Sequence, residues 1–294
     1  MWFWRNGHRE GPTLVLGGGG SMGALQAGVL RVLMRHGFQP SRIIGTSVGA
    51  LNGAFLAFYP GMAGAEQLVE VWRGLENERY ISLNPVRVVF RLASRQLHLF
   101  SNEFLRRLIE QHAVEDDFAA ARVPLFIPAT NLYTGRKHVF SAGPVSRAIL
   151  ASTAIPGVFG PVEIDGQAYI DGGVVANLDL ETAVELGAKE ILAIDLSHCF
   201  ELPEPNSVLD VLTRTVDIVM RERVQRDLEL LDGRARITVI RPEIERGPGV
   251  GDLSHVSRLI EQGEQLALRM LDQVFDVRGR LVPGVYRAEV VVPD

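Results

Sequence analysis

Ser47 lies in the pattern Gly45-Thr46-Ser47-Val48-Gly49, where an apolar run gives way to a run of small residues. A serine hydroxyl is a weak nucleophile at neutral pH, so it needs a base and an oxyanion site beside it. A sharp strand-to-helix turn holds the hydroxyl clear of its strand, and flanking glycines leave room for the neighbouring backbone. The pattern therefore predicts a nucleophilic serine. Its alternative is a buried serine in a glycine-rich turn.

A run of four glycines, Gly17 to Gly20, is the second candidate element. It follows a short apolar strand pattern, Thr13 to Leu16, and precedes a mostly apolar helical pattern from Ser21 to Leu33. Backbone N–H groups at a helix N-terminus bind negative charge. The run could therefore serve a dinucleotide pyrophosphate, a nucleotide phosphate or the oxyanion of an acyl-transfer intermediate.

The neighbouring residues distinguish among these three possible ligands. Gly18, Gly20 and Gly23 match the spacing of a dinucleotide fingerprint, which also needs an acidic residue about 20 positions later. No Asp or Glu occurs between positions 10 and 66, and the loop does not end in Gly-Lys-Ser/Thr as a phosphate loop would. The oxyanion interpretation remains. It predicts that two neighbouring parallel strands bring this loop and Ser47 to the same edge of a sheet.

Asp171 is the third candidate, since it ends a strand pattern and is followed by Gly172 and Gly173. An aspartate in this position places its carboxylate on an exposed tight turn. By itself the pattern indicates an ordinary Asp-Gly turn. In the company of Ser47 and the glycine loop, it predicts an acyl-transfer site.

Taken together, these elements resemble the patatin-like phospholipases. That family has a glycine-rich oxyanion loop near its N-terminus, then Gly-x-Ser-x-Gly, and Asp-Gly-Gly or Asp-Gly-Ala well beyond. The matching segments here are 18–23, 45–49 and 171–173, and the stretch 151–162 also resembles the family's segment ahead of the aspartate. The order and spacing of the four elements are highly specific, and they cover residues 13 to about 196.

The resemblance implies a serine acyl hydrolase of the lipase, phospholipase A or esterase type. It would cleave carboxylic esters of lipids through an acyl-enzyme, with a Ser47–Asp171 dyad and no histidine. Asp171 would take the serine proton and later activate the water, and burial in an apolar pocket would raise its pKa from about 3.9. The implied oxyanion hole is the backbone of Gly18, Gly19 and Gly20, and the remaining motif glycines are Gly23, Gly45, Gly49, Gly172 and Gly173.

One position departs from the family pattern. Met22 stands where the family often has Arg or Lys. The site thereby loses a positive charge, so the backbone donors must stabilise the oxyanion. This departure favours simple acyl esters over anionic phospholipids as substrates.

The alternation of apolar strand patterns with amphipathic helical patterns predicts an α/β fold. The chain of 294 residues is 47% hydrophobic, and the alternation continues without a linker, which predicts a single domain over 1–294. The resemblance implies a three-layer α/β/α architecture with a mainly parallel central sheet. The motif-bearing core would span about 13–196, and C-terminal helices at about 208–275 would cover it or mediate oligomerisation. Strands are predicted at Pro124–Thr130, Arg136–Phe140, Gln167–Ile170, Glu190–Leu196 and Arg236–Arg241, and C-terminal helices at Val208–Leu231 and Ser254–Phe275.

Composition favours a cytoplasmic enzyme without metal or cofactor. The lone Cys199 excludes an intramolecular disulfide and a cysteine metal cluster, and the first residues lack the apolar run of a secretory signal. A net charge of -5 argues against nucleic-acid binding. Residues 43–65 carry no charge and could span a bilayer, but their glycines and Pro60 favour a buried strand, turn and helix.

The expected partner is a lipid or acyl-ester substrate, and one segment suggests peripheral membrane contact. Between positions 79 and 102 there is no acidic residue, and Arg87, Arg91 and Arg95 recur at helical spacing among apolar residues. Such a stripe fits an anionic lipid interface. It fits equally a solvated helix face. The oligomeric state is left open.

Two rival functions are compatible with parts of the pattern. An ordinary triad esterase would use Ser47 with His198 or His255 and an acid such as Asp195. A non-catalytic nucleotide or phosphoryl-ligand module would use the glycine loop alone. That module would have no reason to carry Ser47 and Asp171 in matching turns.

Overall fold

The computed structural model describes residues 11–76, 98–100, 103–112, 116–197, 204, 208–244 and 251–290. In this part of the chain, strands alternate with helices. The strands are β1 (Thr13–Leu16), β2 (Arg42–Gly45), β3 (His98–Phe100), β4 (Leu125–Asn131), β5 (Lys137–Phe140), β6 (Gly157–Phe159), β7 (Val162–Ile164), β8 (Gln167–Asp171), β9 (Glu190–Ile194), β10 (Arg236–Ile244) and β11 (Gly284–Val290).

The described helices lie between these strands and cover the sheet. They are α1 (Gly23–Arg35), α2 (Val48–Phe58), α3 (Met62–Gly74), α4 (Glu103–His112), α5 (Val145–Ser152), α6 (Gly173–Ala176), α7 (Leu180–Glu185), α8 (Val208–Leu230) and α9 (Val256–Val274), with 3-10 turns at Gly20–Met22 and Phe118–Ala120.

The main sheet runs in the order β11-β10-β9-β1-β2-β4-β8-β7, and β5 pairs with β4 outside that path. The strand pairs from β11 across to β4 are parallel, whereas β4–β5, β4–β8 and β7–β8 are antiparallel. The sheet is therefore mainly parallel, as predicted. The strands β3 and β6 form a separate two-stranded sheet.

Alternating side chains of the central strands point into two apolar cores. In β1, Leu14 and Leu16 join one core and Val15 joins the other. The first core contains side chains of α1, α2, α3, α5 and α9, and the second contains those of α7 and α8. Helices therefore cover both faces of the sheet, which confirms the three-layer α/β/α prediction.

The predicted strands are all present with shifted ends. Those predicted to begin at positions 124, 136, 167, 190 and 236 correspond to β4, β5, β8, β9 and β10. The predicted C-terminal helices correspond to α8 and α9. The single-domain boundary of 1–294 stays a prediction. The basic stripe of Arg87, Arg91 and Arg95 lies outside the described residues.

The uncharged stretch 43–65 divides into the end of β2, the helix α2 and the start of α3. This division agrees with the predicted strand, turn and core helix. Among the helices of the described residues, none is both long and apolar enough to cross a membrane.

The unequal lengths of the strands decide where the site residues meet. Leu16 pairs with Gly45, so β1 and β2 end side by side and the loops after them leave from one edge, as predicted. Near the end of β2, Ile44 pairs with Phe126 of β4, and β4 then continues past the end of β2. The antiparallel β8 then returns along this extension, and Asp171 pairs with Ala129. An antiparallel strand thus brings its C-terminal residue back toward Ser47.

Candidate active site

Ser47 occupies the sharp turn between β2 and α2. Its backbone φ is 54° and its ψ is -123°, a region that non-glycine residues adopt only at a cost of roughly 1–3 kcal/mol. Ser47 is one of two non-glycine residues with positive φ in the described part of the chain, and the other is Asp165. This strained turn is the geometry that the Gly-x-Ser-x-Gly pattern predicts.

Close backbone contacts, one within the turn and one with β1, explain the two glycines of the motif. A Cβ on Gly45 would lie 2.2 Å from the carbonyl oxygen of Gly49, and a Cβ on Gly49 would lie 2.3 Å from that of Leu16. Both contacts are with backbone, which cannot move aside as a flexible side chain can. The turn therefore closes only when both positions lack a side chain.

The structure brings Ser47 and Asp171 into direct contact. The Ser47 hydroxyl donates a hydrogen bond of 2.7 Å to Asp171 Oδ2, although 124 positions separate the two residues. Both side chains are buried, at 7% and 3% exposure. A nucleophile and a base within hydrogen-bond distance is the arrangement that serine activation requires.

Burial changes the acid–base properties of Asp171. Desolvation raises the pKa of its carboxyl group to about 6, against the opposing effect of hydrogen bonds from the Ser47 hydroxyl and the Gly173 N–H. The Gly173 N–H donates to Oδ1 at 2.7 Å, which leaves Oδ2 for the serine. Asp171 is therefore a stronger base than an exposed aspartate and is still ionised near neutral pH.

Ser152 and Thr130 hold the two turns together, and sequence reasoning missed both. The Ser47 N–H donates to Ser152 Oγ at 2.9 Å, and that hydroxyl donates onward to the Pro128 carbonyl at 2.6 Å. The Thr130 hydroxyl donates to the carbonyl of Asp171 at 2.8 Å. Ser152 falls within the stretch 151–162 that resembled the family, but a serine among small residues carries no sign of this contact.

The glycine loop lies against Ser47. A Cβ on Gly18 would come within 2.9 Å of the Ser47 Cβ and 2.6 Å of Asn177 Oδ1. A Cβ on Gly19 would meet Leu196 at 2.7 Å. The loop after β1 therefore touches the turn after β2, and its glycines allow that approach.

The three expected oxyanion donors differ in their hydrogen bonding. The Gly18 N–H already donates to the Asn177 carbonyl at 3.3 Å. Within the described part of the chain, neither the Gly19 N–H nor the Gly20 N–H donates a hydrogen bond, and both residues are half-buried. Gly20 has a φ of 57°, which favours glycine. Gly19 and Gly20 thus offer free donors, whereas Gly18 does not.

The remaining motif glycines allow close packing around the site. A Cβ on Gly23 would meet Val48 at 2.2 Å, one on Gly172 would meet the Pro128 carbonyl at 2.3 Å, and one on Gly173 would lie 3.0 Å from Asp171 Oδ1. Met22, the position that departs from the family pattern, has a fully buried side chain in the first core.

The acid of the rival triad has other partners. Asp195 is fully buried and accepts from Arg241 Nε at 2.8 Å and from the Ser197 hydroxyl at 2.6 Å. His255 is exposed at the start of α9 and lies near Asp252, while His198 lies outside the described residues. No histidine whose side chain is described hydrogen-bonds to Ser47 or Asp171.

The described part of the chain contains no ligand set for a metal ion. No group of three or more His, Cys, Asp or Glu residues there could hold a metal ion. The acidic side chain at the site, Asp171, is already bonded to Ser47 and to the Gly173 N–H.

An apolar cavity of about 90 Å³ lies beside the helices that meet at Ser47. The helix α2 starts directly after Ser47, and α5 ends at Ser152, which binds the Ser47 N–H. Both helices contribute walls to the cavity, together with α3 and α4. Its lining residues are Leu51, Asn52, Ala54, Phe55, Phe58, Tyr59, Leu68, Val71, Trp72, Leu75, Leu108, Ile109, Val145, Ser146 and Ile149.

Comparison with protein families identifies a match over the motif-bearing part of the chain. The family described as "Patatin-like phospholipase" matches residues 14–184, which include Ser47 and Asp171. This match covers more than half of the chain.

Several curated proteins are similar in sequence. "Lysophospholipase NTE1" of Mycosarcoma maydis is 29% identical over 191 residues, which are 62% of this chain and 9% of that protein. "Patatin-like phospholipase domain-containing protein 7" of Rattus norvegicus is 30% identical over 63% of this chain and 13% of its own length. An uncharacterised NTE family protein of Mycobacterium bovis is 31% identical over 69% of this chain and 55% of that protein. The chain spans less than two thirds of each of these relatives.

Two solved structures are similar to this chain at lower sequence identity. VipD from Legionella pneumophila has a TM-score of 0.47 at 12% identity, over 90% of this chain and 67% of that one. The type III effector ExoU has a TM-score of 0.41 at 17% identity, over 90% of this chain and 53% of its own.

We predict that Asp171→Asn stabilises the fold above about pH 6. The folded pKa of Asp171 lies above its ordinary value, so the group's contribution to stability is largest below about pH 4 and is lost as the pH rises through about 6. Asparagine keeps the shape and stays neutral, so the variant should be more stable by up to roughly 3 kcal/mol at pH 8. Urea unfolding of both proteins at several pH values measures the difference. Equal free energies of unfolding at all pH values would contradict a raised pKa.

Proposed function

The chain belongs to the patatin-like phospholipase family, and from this membership we propose that it hydrolyses carboxylic esters of lipids with Ser47 as nucleophile and Asp171 as base. The single observation that carries the proposal is the 2.7 Å hydrogen bond from Ser47 Oγ to the buried carboxylate of Asp171. The strained turn at Ser47 and the free N–H groups of the glycine loop support the same chemistry.

In the acylation step, Ser47 Oγ forms a bond to the ester carbonyl carbon, and its proton moves to Asp171 Oδ2. The electron pair of the C=O double bond moves to the carbonyl oxygen, which becomes an oxyanion. When the C=O bond re-forms, the bond to the alcohol breaks and the alcohol leaves with the proton from Asp171. The raised pKa of Asp171, about 6, suits a group that must accept and then return a proton.

The oxyanion would be stabilised by the N–H groups of Gly19 and Gly20. These N–H groups are free of partners within the described part of the chain, and the adjacent Gly18 lies against Ser47. The helix α1 follows the loop, and its N-terminal end adds a positive electrostatic contribution. Because the Gly18 N–H bonds to Asn177, we assign Gly18 the role of close packing against Ser47.

In the deacylation step, a water molecule attacks the acyl-enzyme carbonyl and gives its proton to Asp171. The bond to Ser47 Oγ then breaks, and the serine oxygen recovers the proton from Asp171 as the carboxylic acid leaves. No histidine is required in either step. The same carboxylate acts on the serine first and on the water second.

The apolar cavity between α2, α3, α4 and α5 supports an acyl chain as the substrate group. Leu51 lies about one helical turn after Ser47, and the stretch of α2 from Leu51 to Phe58 runs about 10 Å along the helix axis. Three polar side chains in the lining, Asn52, Trp72 and Ser146, are already bonded within the protein. Asn52 accepts from Trp72 and donates to Gln26, and Ser146 bonds to Asp116. The cavity therefore suits an apolar chain.

We expect Ser47→Ala to abolish ester hydrolysis, because the covalent step is lost. Asp171→Asn should lower turnover by about a hundredfold or more, since an amide cannot accept the serine proton. Hydrolysis of p-nitrophenyl esters by the purified variants measures both effects, and His255→Ala is the control that should keep most activity. A dead His255→Ala beside an active Asp171→Asn would replace the dyad with a triad.

Filling the cavity should change chain-length preference. Ala54 lines the cavity and is 5% exposed, so Ala54→Leu adds bulk where the acyl chain would lie. We expect kcat/KM for a p-nitrophenyl dodecanoate to fall by about tenfold or more, and that for the acetate to stay within about threefold. A series from acetate to dodecanoate measures the profile.

The control for this variant is a second cavity of about 120 Å³ that is lined by Leu33, Phe38 and Leu271 among others. The substitution Leu271→Phe fills that space at the far ends of α1 and α9, and it should leave the profile unchanged. If Ala54→Leu does not fold, Ala54→Val makes the same test with less bulk. An unchanged profile in a folded Ala54 variant would mean that the acyl chain binds elsewhere.

A further inference from the structure

Asn177 lies between the glycine loop and the turn that carries Asp171. It follows the short helix α6 directly, and it is buried at 3% exposure. The helix α6 begins at Gly173, two positions after Asp171, so the chain from Asp171 to Asn177 is one compact turn. Buried amide side chains are normally hydrogen-bonded, and the partners of Asn177 show what it holds.

Asn177 is hydrogen-bonded to both backbone polar groups of Gly18, the N–H and the carbonyl. Its backbone carbonyl accepts from the Gly18 N–H at 3.3 Å, and its side-chain Nδ2 donates to the Gly18 carbonyl at 3.4 Å. Both bonds are long, so each alone constrains the loop weakly. Acting together on a single residue, they fix the orientation of the two peptide groups that flank Gly18.

The orientation of these peptide groups decides where the free donors point. In a trans peptide the C=O and the following N–H point in opposite directions, and no cis peptide occurs in the described part of the chain. Because the Gly18 carbonyl turns toward Asn177, the Gly19 N–H turns away from it. The Gly19 carbonyl accepts a hydrogen bond from the Met22 N–H at 3.1 Å. The Gly20 N–H belongs to the same trans peptide group, so it points away from Met22.

A second amide holds the other end of the loop. Gln26 Nε2 donates to the Gly17 carbonyl at 3.2 Å, and Gln26 is fully buried. Its Oε1 accepts from Asn52 at 3.0 Å, which keeps the Nε2 group turned toward the loop. The Gly17–Gly18 peptide group is thus bonded on one side to Gln26 and on the other to Asn177.

The carboxamide of Asn177 also lies close to the base. A Cβ on Gly173 would lie 2.9 Å from Asn177 Oδ1 and 3.0 Å from Asp171 Oδ1. Asn177 could therefore act on the reaction through the loop or through the carboxylate. The two hydrogen bonds to Gly18 favour the loop, since none of the hydrogen bonds of Asp171 involves Asn177.

We propose that Asn177 is a positioning residue that holds the glycine loop in the conformation in which the N–H groups of Gly19 and Gly20 face the oxyanion. The inference rests on the proposed function of Ser47. It predicts that Asn177 contributes to binding of the transition state and contributes little to binding of the ground-state ester.

The test uses two variants and a matched control in the full chain. Asn177→Ala removes the carboxamide, and Asn177→Leu removes its hydrogen bonds while keeping a similar volume. The backbone bond to Gly18 remains in both. The control is Asn131→Ala, which removes another buried Asn side chain, one that caps a turn through the N–H groups of Tyr133 and Thr134.

Three readouts separate a positioning role from a merely structural one. We expect kcat to fall by about tenfold or more in both Asn177 variants with KM within about twofold. A long-chain alkyl trifluoromethyl ketone, which forms a tetrahedral adduct with an activated serine, should bind more weakly by the same factor. The pH midpoint of kcat/KM should stay at the wild-type value, because the Asp171 carboxylate keeps its hydrogen bonds from Ser47 and from the Gly173 N–H. Asn131→Ala should lower thermal stability without these changes.

Wild-type kcat and wild-type ketone affinity in both folded Asn177 variants would overturn the inference. A shift in the pH midpoint would also overturn the inference, since it would show that Asn177 acts on the Asp171 carboxylate and not on the glycine loop. The ketone affinity, measured by 19F NMR, keeps the test independent of the ester chosen. Failure of the proposed function is distinguishable, because it would appear as full hydrolysis by Ser47→Ala.

Discussion

The hydrogen bond between Ser47 and Asp171 links two turns that are 124 positions apart in the chain, and much of the surrounding structure serves to hold it. It exists because β4 extends past the end of β2 and gives β8 a template on which to return. Ser152 then bridges the Ser47 N–H to the Pro128 carbonyl of β4. Loss of any of these supports would separate Ser47 from Asp171, which the proposed mechanism requires to stay within hydrogen-bond distance.

The burial that suits Asp171 to its proposed role as a base also costs stability. Desolvation raises its pKa to about 6, so at neutral pH the fold carries a buried carboxylate that would be more stable in water. Ser47 adds strain through its positive φ. The fully buried apolar side chains of β1 and β9, on both faces of the sheet, supply a core that can offset these costs. Strain and desolvation concentrated at one site are typical of functional sites.

Local patterns predicted much of this fold. Alternating apolar runs predicted β4, β5, β8, β9 and β10, and the parallel pairing of β1 with β2 followed from the placement of the two glycine motifs. The strand β11 and the antiparallel pairing of β7 with β8 were not predicted, because β11 and the three-residue β7 lie at the two ends of the sheet and carry charged residues that interrupt their apolar pattern. Ser152, Asn177 and Gln26 could not be identified either. Their roles depend on contacts with residues far away in the chain, and a single polar side chain among small residues gives no local sign of them.

The rate at which Ser47 reacts with a fluorophosphonate tests the central claim most directly, because it requires only an activated serine and no particular substrate. Peptide mapping by mass spectrometry should locate the phosphonate on Ser47, and the labelling rate should rise with pH to a plateau with a midpoint near the Asp171 pKa of about 6. Asp171→Asn should be labelled far more slowly and without that midpoint. Labelling of a different serine, or an Asp171→Asn protein that reacts at the wild-type rate, would contradict the account.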